Sequence, residues 1–355
     1  MSETRPVRPG EEIDLVALNA YLTVHAPRVG RVQSIEQFPG GFSNLTYLLK
    51  SDRGEVVLRR PPLGIAKSSA HDMGREYRIL SALDSRGGKA PGPIAYCADE
   101  SVIGAPFYLM ERLYGVILRG APREAPSAAV MRRLSETFVD TLVSIHALGR
   151  DDPGIAALGK SEGYVERQVS GWTARWQKAR TDAVPEMEVV TAWLAANRPT
   201  ESGATLVHND YKYDNLVLDA SDLSQVRGVL DWEMATLGDP LLDVGTSLGY
   251  WMEAGDDSAF SALGLGVTAL PGSFSRTELW EHYLETSARG PADPLFYYVF
   301  GLFKIAVIAQ QIFFRYRKGL TSDERFARLG VAVQLLAKTA EGAMARGTIG
   351  ATSRS

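Results

Sequence analysis

The chain has 355 residues, of which 45% are hydrophobic and 23% are charged, and its formal net charge at pH 7 is −4. This length allows two lobes with separate cores, and the composition is that of an ordinary soluble protein. The charge provides no basic surface for nucleic acid. Because Cys97 is the only cysteine, an internal disulfide is excluded and a reducing compartment is expected.

Two segments could be read as targeting or membrane sequences. The first twelve residues carry charges and prolines without an apolar run, so they do not predict a signal peptide. Residues 295–316 are apolar over the length of a membrane span, but polar residues such as Lys304 and Arg315 interrupt them. Charged side chains inside a bilayer are costly. The sequence therefore predicts a buried core helix in a cytoplasmic protein that has no membrane partner.

The first part of the chain predicts a small antiparallel sheet with one main helix. Three strand-like segments, "VQSIEQF", "NLTYLLK" and "EVVLRR", follow one another between residues 32 and 60 with short turns between them. A helix is predicted over 71–85, where apolar residues from Met73 to Leu83 share one face. Two further strands, "GPIAYCA" and "APFYLMERL", complete the sheet.

Helical periodicity dominates the rest of the chain, beginning with a strongly amphipathic helix predicted over 131–148. A glycine-containing stretch of weak periodicity at 112–120 separates the two patterns. We therefore predict an α+β fold with an N-terminal lobe over 1–115 and a larger helical lobe over 116–355. Roughly the last ten residues are predicted to be disordered, as chain termini commonly are.

A polar segment, "HNDYKYDN" (208–215), stands between two apolar runs and suits an ordinary loop, a metal site or a catalytic loop. The runs that follow it, 216–218 and 228–230, predict a hairpin, and antiparallel counting brings Asn215 close to Asp231. Amide and carboxylate oxygens of this kind suit Mg²⁺. Phosphoryl transfer needs such a metal together with a carboxylate that accepts the proton of the attacking hydroxyl.

The segment "HNDYKYDN", followed by "LDWE", resembles the catalytic loop and metal aspartate of the protein-kinase-like superfamily, in the branch of aminoglycoside phosphotransferases and choline kinases. The resemblance implies a bilobal kinase-like fold and an ATP- and Mg²⁺-dependent phosphotransferase. It assigns Asp210 as the catalytic base and Asn215 and Asp231 as the Mg²⁺ ligands.

Three further residues around this loop belong to the same resemblance. His208 is expected to support the shape of the loop rather than to exchange protons. Asp243, in "GDPLLDVG", is expected to brace the loop. Asn209 stands where related loops usually carry glycine, and this departure leaves the functional side chains unchanged.

The N-terminal lobe is expected to bind the nucleotide. The turn "PGGFSNLTY" would bring backbone N–H groups close to phosphate. On the next strand Arg59 takes the position of the usual phosphate-pairing lysine, and Glu76 on the following helix would be its acidic partner. The residues expected to bind ATP are Gly41, Ser43, Asn44, Arg59 and Glu76, with Met110, Glu111 and Leu113 at the hinge that meets adenine.

The acceptor is expected to be a small molecule, because the chain passes from Asp231 into a helix within a few residues and leaves no platform for a peptide. Segments such as "GGFSNLTY", "VLRRPP" and "LDWEMATLGDPLLDVG" are similar to the kinase-like domain of acyl-CoA dehydrogenase family members 10 and 11. That similarity favours a hydroxyacyl-CoA acceptor over an aminoglycoside and a functional link to an acyl-CoA dehydrogenase. A carboxylate cluster suited to an aminoglycoside is found only at 253–257, where a solvated loop is an equal explanation.

Two other functions stay open at the level of sequence. A nucleotide-binding pseudokinase is suggested by Arg59, although Asp210, Asn215 and Asp231 are all retained. A metal-dependent hydrolase would use the carboxylates between 210 and 243, but the five histidines are scattered along the chain.

Overall fold

The computed structural model describes residues 3–39, 44–62, 72–120, 122, 124–257, 266–321 and 323–351. Contacts within the chain define two compact units. The first comprises Met1–Gly115 and Arg227–Ala235, and the second comprises Val116–Val226 and Thr236–Ser355. The predicted boundary at residue 115 did not assign Arg227–Ala235 to the first unit. A five-stranded sheet lies in the first unit and most helices lie in the second, so the fold is α+β, as predicted.

The sheet of the first unit contains the five predicted strands, all antiparallel, in the order β1-β2-β3-β5-β4. The central strands carry runs of consecutive buried residues, and Leu49, Leu58 and Leu109 are 0% exposed. Consecutive burial is the pattern expected when both faces of a strand are covered. The strands are β1 (Val32–Gln37), β2 (Leu45–Ser51), β3 (Gly54–Arg60), β4 (Pro93–Cys97) and β5 (Phe107–Glu111).

Two α-helices accompany the sheet in the described part of the first unit. Helix α1 (Leu15–His25) was not predicted, because it is apolar on all sides and gives no helical period; the side chain of Asp14 caps it. Helix α2 (Met73–Asp84) lies where the sequence predicts it and begins at the N-cap Asp72. Its buried face carries Glu76 beside apolar residues, which brings this carboxylate into the interior of the unit.

The second unit is mainly helical, and capping residues set several of its helix starts. The helix predicted over 131–148 begins three residues earlier because Ser127 caps it, and Asp239 caps the helix that begins at Pro240. Among the described residues of this unit, the α-helices are α3 (Ala128–His146), α4 (Pro153–Ala156), α5 (Tyr164–Ala179), α6 (Pro185–Ala196), α7 (Pro240–Tyr250), α8 (Arg276–Thr286), α9 (Leu295–Arg317) and α10 (Leu329–Arg346).

Helix α9 is the apolar segment weighed as a membrane span. By length and composition it could cross a bilayer, but in the structure it packs against α5, α7 and α10 and 72% of its most apolar window is buried. The prediction of a buried core helix is therefore confirmed. The helices α7 and α9 approach closely at Gly245 and Gly301, where a Cβ on either residue would collide with backbone of the other helix.

Short strands hold the polar motif. β6 (Thr205–Val207) pairs antiparallel with β9 (Thr236–Gly238), and β7 (Leu216–Leu218) follows the motif. The predicted turn after β7 is present: the Asp219 N–H donates to the Gln225 carbonyl (2.9 Å), and the chain continues into β8 (Val226–Val229).

The tail predicted to be disordered is ordered as far as Ala351, and this prediction was wrong for residues 347–351. Ile349 is only 2% exposed, and its carbonyl accepts a hydrogen bond from Arg276 Nε (2.6 Å). The Ala351 N–H donates to Glu253 (2.7 Å). The polar composition of the tail gave no sign of these partners, which lie 73 and 98 residues earlier in the chain. Residues 352–355 lie outside the described residues.

Replacement of Ile349 tests whether the tail stabilises the second unit. We expect Ile349→Ala to lower the free energy of unfolding by about 2–4 kcal/mol, because it leaves a cavity in a buried site. Val331→Ala is the matched control, since Val331 is 60% exposed on α10. Urea unfolding of both variants measures the difference, and equal stabilities would contradict an ordered tail.

Candidate active site

The loop 208–215 connects β6 to β7 and begins with an unusual backbone conformation at Asn209. Its φ is 67°, in the left-handed region, which asparagine adopts more readily than most residues. The Asn209 side chain is held by Tyr164, whose hydroxyl lies 3.1 Å from Nδ2 and 3.3 Å from Oδ1. These contacts explain how asparagine occupies a position where related loops usually carry glycine.

Asp243, on α7, fixes the start of this loop. Its carboxylate accepts the backbone N–H groups of His208 (2.6 Å) and Asn209 (2.7 Å), and Oδ2 lies 3.1 Å from His146 Nε2. Burial alone would raise the pKa of the Asp243 carboxyl, but the hydrogen bond and charge of His146 hold it below its usual value. Asp243 thus lies against the loop that it is predicted to brace.

His208 is fully buried and lies within the loop rather than at its surface. Its ring Nδ1 accepts the backbone N–H of Asp210 (3.2 Å), a contact that links the two residues on either side of Asn209. The ring therefore contributes to the shape of the turn, in the position that the supporting role predicts.

Asp210, the predicted base, has hydrogen bonds to both carboxylate oxygens. Oδ1 accepts from Tyr250 Oη (2.8 Å) and Lys212 Nζ (3.0 Å), and Oδ2 accepts from Lys212 Nζ (2.8 Å) and Asn215 Nδ2 (3.1 Å). Its side chain is 16% exposed. Because Asn215 donates through Nδ2, its Oδ1 is the side-chain atom that can ligate a metal.

Sequence reasoning missed Tyr250, the last residue of α7. Its hydroxyl donates to Asp210, and Lys212 Nζ lies 4.5 Å from the centroid of its ring. Burial raises the pKa of the Tyr250 hydroxyl, so this group remains a hydrogen-bond donor at neutral pH. A tyrosine at the end of a helix carries no signal for such a contact with a residue forty positions earlier.

Sequence reasoning also missed the role of Lys304, which appeared only as an interruption of the apolar helix α9. Its buried ammonium donates to the Asn209 carbonyl (2.7 Å) and lies 3.2 Å from Asn209 Oδ1. A lysine in an otherwise apolar core helix was the signal available, because a buried charge requires partners. Burial lowers the pKa of Lys304 to about 8, against the opposing influence of the Asp243 and Asp210 carboxylates.

A small cavity adjoins the loop within the second unit. The rings of Phe138, Tyr213 and Trp251 line it and contact one another, with centroid separations of 5.0–5.4 Å. Asp214 is the one acidic residue among the described residues that line it, and burial raises the pKa of its carboxyl. The wall of the cavity is therefore mainly aromatic and apolar.

The carboxylates at 253–257 are engaged by an arginine. Arg276 Nη2 lies 3.1 Å from Glu253 Oε2, and Arg276 Nη1 donates to Asp256 Oδ2 (2.9 Å). The side chains of Glu253 and Asp256 are 11% and 6% exposed, so these two carboxylates belong neither to a solvated loop nor to an open pocket. Their ion pairs join the end of α7, the start of α8 and the ordered tail.

In the first unit, Arg59 on β3 is surrounded by carboxylates. Nη2 donates to Asp231 Oδ1 (2.7 Å) and Glu233 Oε2 (2.9 Å), and Nη1 lies 3.5 Å from Glu76 Oε2. Burial would lower the pKa of Arg59, but the carboxylates of Glu76 and Asp231 hold it well above its usual value. The structure thus brings Arg59 and Glu76 together, as the sequence predicts, and it adds Asp231, whose contact with Arg59 was not predicted.

Two neutral side chains complete this cluster. Asn44, fully buried, donates through Nδ2 to Glu76 Oε1 and Glu233 Oε2, both at 3.1 Å. Tyr108 donates to Glu76 Oε2 (2.9 Å). Burial raises the pKa of the Glu76 carboxyl, although Arg59 and Tyr108 oppose this effect. The sequence did not predict a role for Glu233, which lies in the segment "LDWE".

For the other residues predicted to bind nucleotide, the structure gives only their positions in the first unit. Met110 is buried in β5, Glu111 is exposed at its end, and the Glu111 N–H is bonded to the Gly92 carbonyl (2.8 Å). The side chain of Leu113 packs over Gly228, where a Cβ would collide with it. Gly41 and Ser43 lie outside the described residues.

The family of this chain follows from its sequence as a whole. A family model described as "Phosphotransferase enzyme family" matches residues 34–276, which is more than half of the chain. The chain therefore belongs to this family and is a small-molecule phosphotransferase, as the motifs predict.

The curated relatives are longer proteins. The chain is 33% identical over 345 residues to "Acyl-CoA dehydrogenase family member 11" of Rattus norvegicus, covering 95% of this chain and 44% of that protein. It is 33% identical over 341 residues to "Acyl-CoA dehydrogenase family member 10" of Mus musculus, covering 95% and 32%. The chain thus spans less than half the length of these relatives.

Solved structures support the kinase-like fold. A "putative aminoglycoside phosphotransferase" from Ralstonia eutropha JMP134 superposes with a TM-score of 0.79 and 28% identity, covering 94% of this chain and 99% of that one. The GDP and kanamycin complex of APH(2")-IIIa superposes with a TM-score of 0.62 and 15% identity, covering 93% and 99%. The predicted fold is therefore confirmed.

The buried lysine makes a prediction about pH. Between pH 8 and 10.5 the unfolded chain binds more protons than the folded chain at Lys304, so stability is regained as the pH rises through this window. We expect the free energy of unfolding of the native protein, relative to Lys304→Met, to increase by up to about 1.4 kcal/mol per pH unit. Urea unfolding of both proteins from pH 7 to 10 measures the difference, and parallel pH profiles would refute it.

Proposed function

We propose that this chain transfers the γ-phosphoryl group of ATP to a hydroxyl of a small molecule in an Mg²⁺-dependent reaction. The observation that carries the proposal is the held carboxylate of Asp210, which receives hydrogen bonds from Lys212, Asn215 and Tyr250 on a loop braced by Asp243. Phosphoryl transfer depends chiefly on positioning and on electrostatic stabilisation, and a fixed, partly exposed carboxylate meets the first need.

Asp210 acts in this proposal as the base that accepts the proton of the acceptor hydroxyl. Its two oxygens are already bonded to Lys212, so the ammonium has to release one of them when the hydroxyl binds. The bonds from Tyr250 and Asn215 can remain and keep the carboxylate oriented.

The residues proposed to hold Mg²⁺ suit that ion. Asn215 presents an amide oxygen because its Nδ2 is committed to Asp210, and Asp231 is a carboxylate whose Oδ1 is fixed by Arg59. Mg²⁺ takes hard oxygen ligands and is commonly held by one or two protein groups, with water and phosphates completing its shell. When bound, the ion would neutralise charge on the phosphates.

The nucleotide is proposed to bind through the first unit. The ion pair between Arg59 and Glu76 and the hinge segment around Met110, Glu111 and Leu113 support this assignment. A structural relative has been solved with GDP, so ATP and GTP should both be assayed as phosphoryl donors.

For the acceptor we favour a hydroxyacyl-CoA over an aminoglycoside. Acyl-CoA dehydrogenase is part of the names of the curated relatives, and on that ground we also propose a functional link to such an enzyme. Glu253 and Asp256 are committed to Arg276 and are largely buried, so they are not available to bind ammonium groups. A polycationic aminoglycoside requires several available carboxylates, whereas an acyl chain requires apolar surface.

One observation favours a second function, a nucleotide-binding protein without turnover. Arg59 replaces the usual lysine, and three carboxylates already surround its guanidinium. Turnover separates the two functions, since a pseudokinase would bind nucleotide and release no ADP from ATP with any acceptor.

Substitution of the base tests the assignment of Asp210. We expect Asp210→Asn to reduce kcat by roughly a hundredfold to ten thousandfold, because the amide cannot accept the proton of the hydroxyl. The affinity for nucleotide should remain nearly native. Coupled assays of ADP release and calorimetric binding of ADP measure the two quantities. Asp151→Asn, at an exposed position, is the control, and native turnover in Asp210→Asn would remove this base assignment.

A parallel screen of acceptors tests the substrate class. We expect ATP-dependent ADP release with hydroxyacyl-CoAs and none above background with aminoglycosides or choline-like alcohols, because Glu253 and Asp256 are committed to Arg276 and cannot bind the ammonium groups of such acceptors. The acyl-CoA without the hydroxyl is the control for ATP hydrolysis alone. A clear aminoglycoside signal without one from hydroxyacyl-CoA would reverse the order of preference.

A further inference from the structure

The contacts of Arg59 differ from those expected of a residue that presents its charge to a ligand. Both terminal nitrogens already face carboxylates: Nη1 faces Glu76 at 3.5 Å, and Nη2 faces Asp231 at 2.7 Å and Glu233 at 2.9 Å. Only 10% of the side chain is exposed. The guanidinium is therefore directed into the protein and is already occupied by internal partners.

Among the described residues, three carboxylates, on Glu76, Asp231 and Glu233, contact this guanidinium. Asn44 and Tyr108 donate to two of these carboxylates. The guanidinium therefore already makes charge-assisted contacts with protein carboxylates, which a phosphate group would have to displace.

The shape of arginine matters to this arrangement. A planar guanidinium offers donors in fixed directions, so one side chain can hold several carboxylates at defined positions. The ammonium of lysine is a single point charge on a flexible four-carbon stem and cannot reproduce the same set of contacts. Asp231 has a left-handed backbone conformation (φ 65°), which is uncommon for a residue other than glycine. A fixed partner such as Arg59 can help to hold the Asp231 side chain in one orientation at this turn.

We propose that Arg59 is a positioning residue and not a phosphate ligand. Its Nη2 orients the metal-binding carboxylate of Asp231 and also bonds to Glu233. This inference rests on the proposed function and assigns Arg59 a role other than that of the lysine it replaces. Partners that orient a metal ligand commonly change metal affinity roughly tenfold to a hundredfold when they are mutated.

The variant Arg59→Lys separates the two roles. It keeps a positive charge in the cluster and restores the residue type that pairs with phosphate in related kinases. Two dissociation constants are measured on the full chain: that of ADP in EDTA by calorimetry, and that of Mn²⁺ at saturating ADP by electron paramagnetic resonance. Circular dichroism establishes that the variant is folded, and Arg53→Lys, whose guanidinium bonds only to the Pro27 carbonyl among the described contacts, is the matched control.

The proposal predicts that the two dissociation constants respond differently to the substitution. In Arg59→Lys the affinity for Mn²⁺ should fall roughly tenfold to a hundredfold. The affinity for metal-free ADP should stay within about twofold of native, because no phosphate contact is lost. The opposite pattern, weaker binding of metal-free ADP with native Mn²⁺ affinity, would overturn the proposal and make Arg59 a phosphate ligand.

A second variant, Glu76→Gln, tests the proposal independently in case Arg59→Lys does not fold. Glu76→Gln keeps the size of the side chain, and we expect native affinity for metal-free ADP, because Arg59 retains Asp231 and Glu233. If Arg59 were a phosphate ligand oriented by Glu76, this affinity would fall and the proposal would fail. If the native protein binds no ADP with or without metal, both the proposed function and this inference are wrong, which differs from either variant result.

Discussion

The buried carboxylate of Asp243 is the contact on which the candidate active site of the second unit depends. It accepts two successive backbone N–H groups, from His208 and Asn209, and so holds the chain where it turns into the left-handed conformation. Without that acceptor two buried N–H groups would lack a partner, which is costly. The orientation of Asp210 follows from this turn, since it is the next residue along the chain.

Both units use cationic side chains to hold parts of the candidate site. Lys212 bonds to both oxygens of Asp210, and Lys304 donates a hydrogen bond to the Asn209 carbonyl at the turn. In the first unit Arg59 bonds to Asp231. Removing one partner of a buried charge pair leaves the other uncompensated. Such pairs therefore fix the direction of a carboxylate more firmly than a contact with water can.

Local pattern predicted much of the fold and the order of the functional residues. The strands, the helix that carries Glu76 and the spacing of Asp210 and Asn215 are encoded over short stretches, where periodicity and motif spacing are readable. The contacts of Tyr250, Lys304 and the tail were not predicted, because their partners lie far away in sequence. A lysine in an apolar helix resembles an interruption until the carbonyl that it meets is known.

The central claim is that this chain moves a phosphoryl group from a nucleotide to a hydroxyl. Phosphorus NMR of a mixture of the protein, ATP, Mg²⁺ and a hydroxyacyl-CoA follows every phosphorus-containing product at once. We expect the γ-phosphate signal to be replaced by equal amounts of ADP and of a new phosphate monoester on the acceptor. An unchanged spectrum, or ADP accompanied only by inorganic phosphate, would contradict phosphoryl transfer to this acceptor.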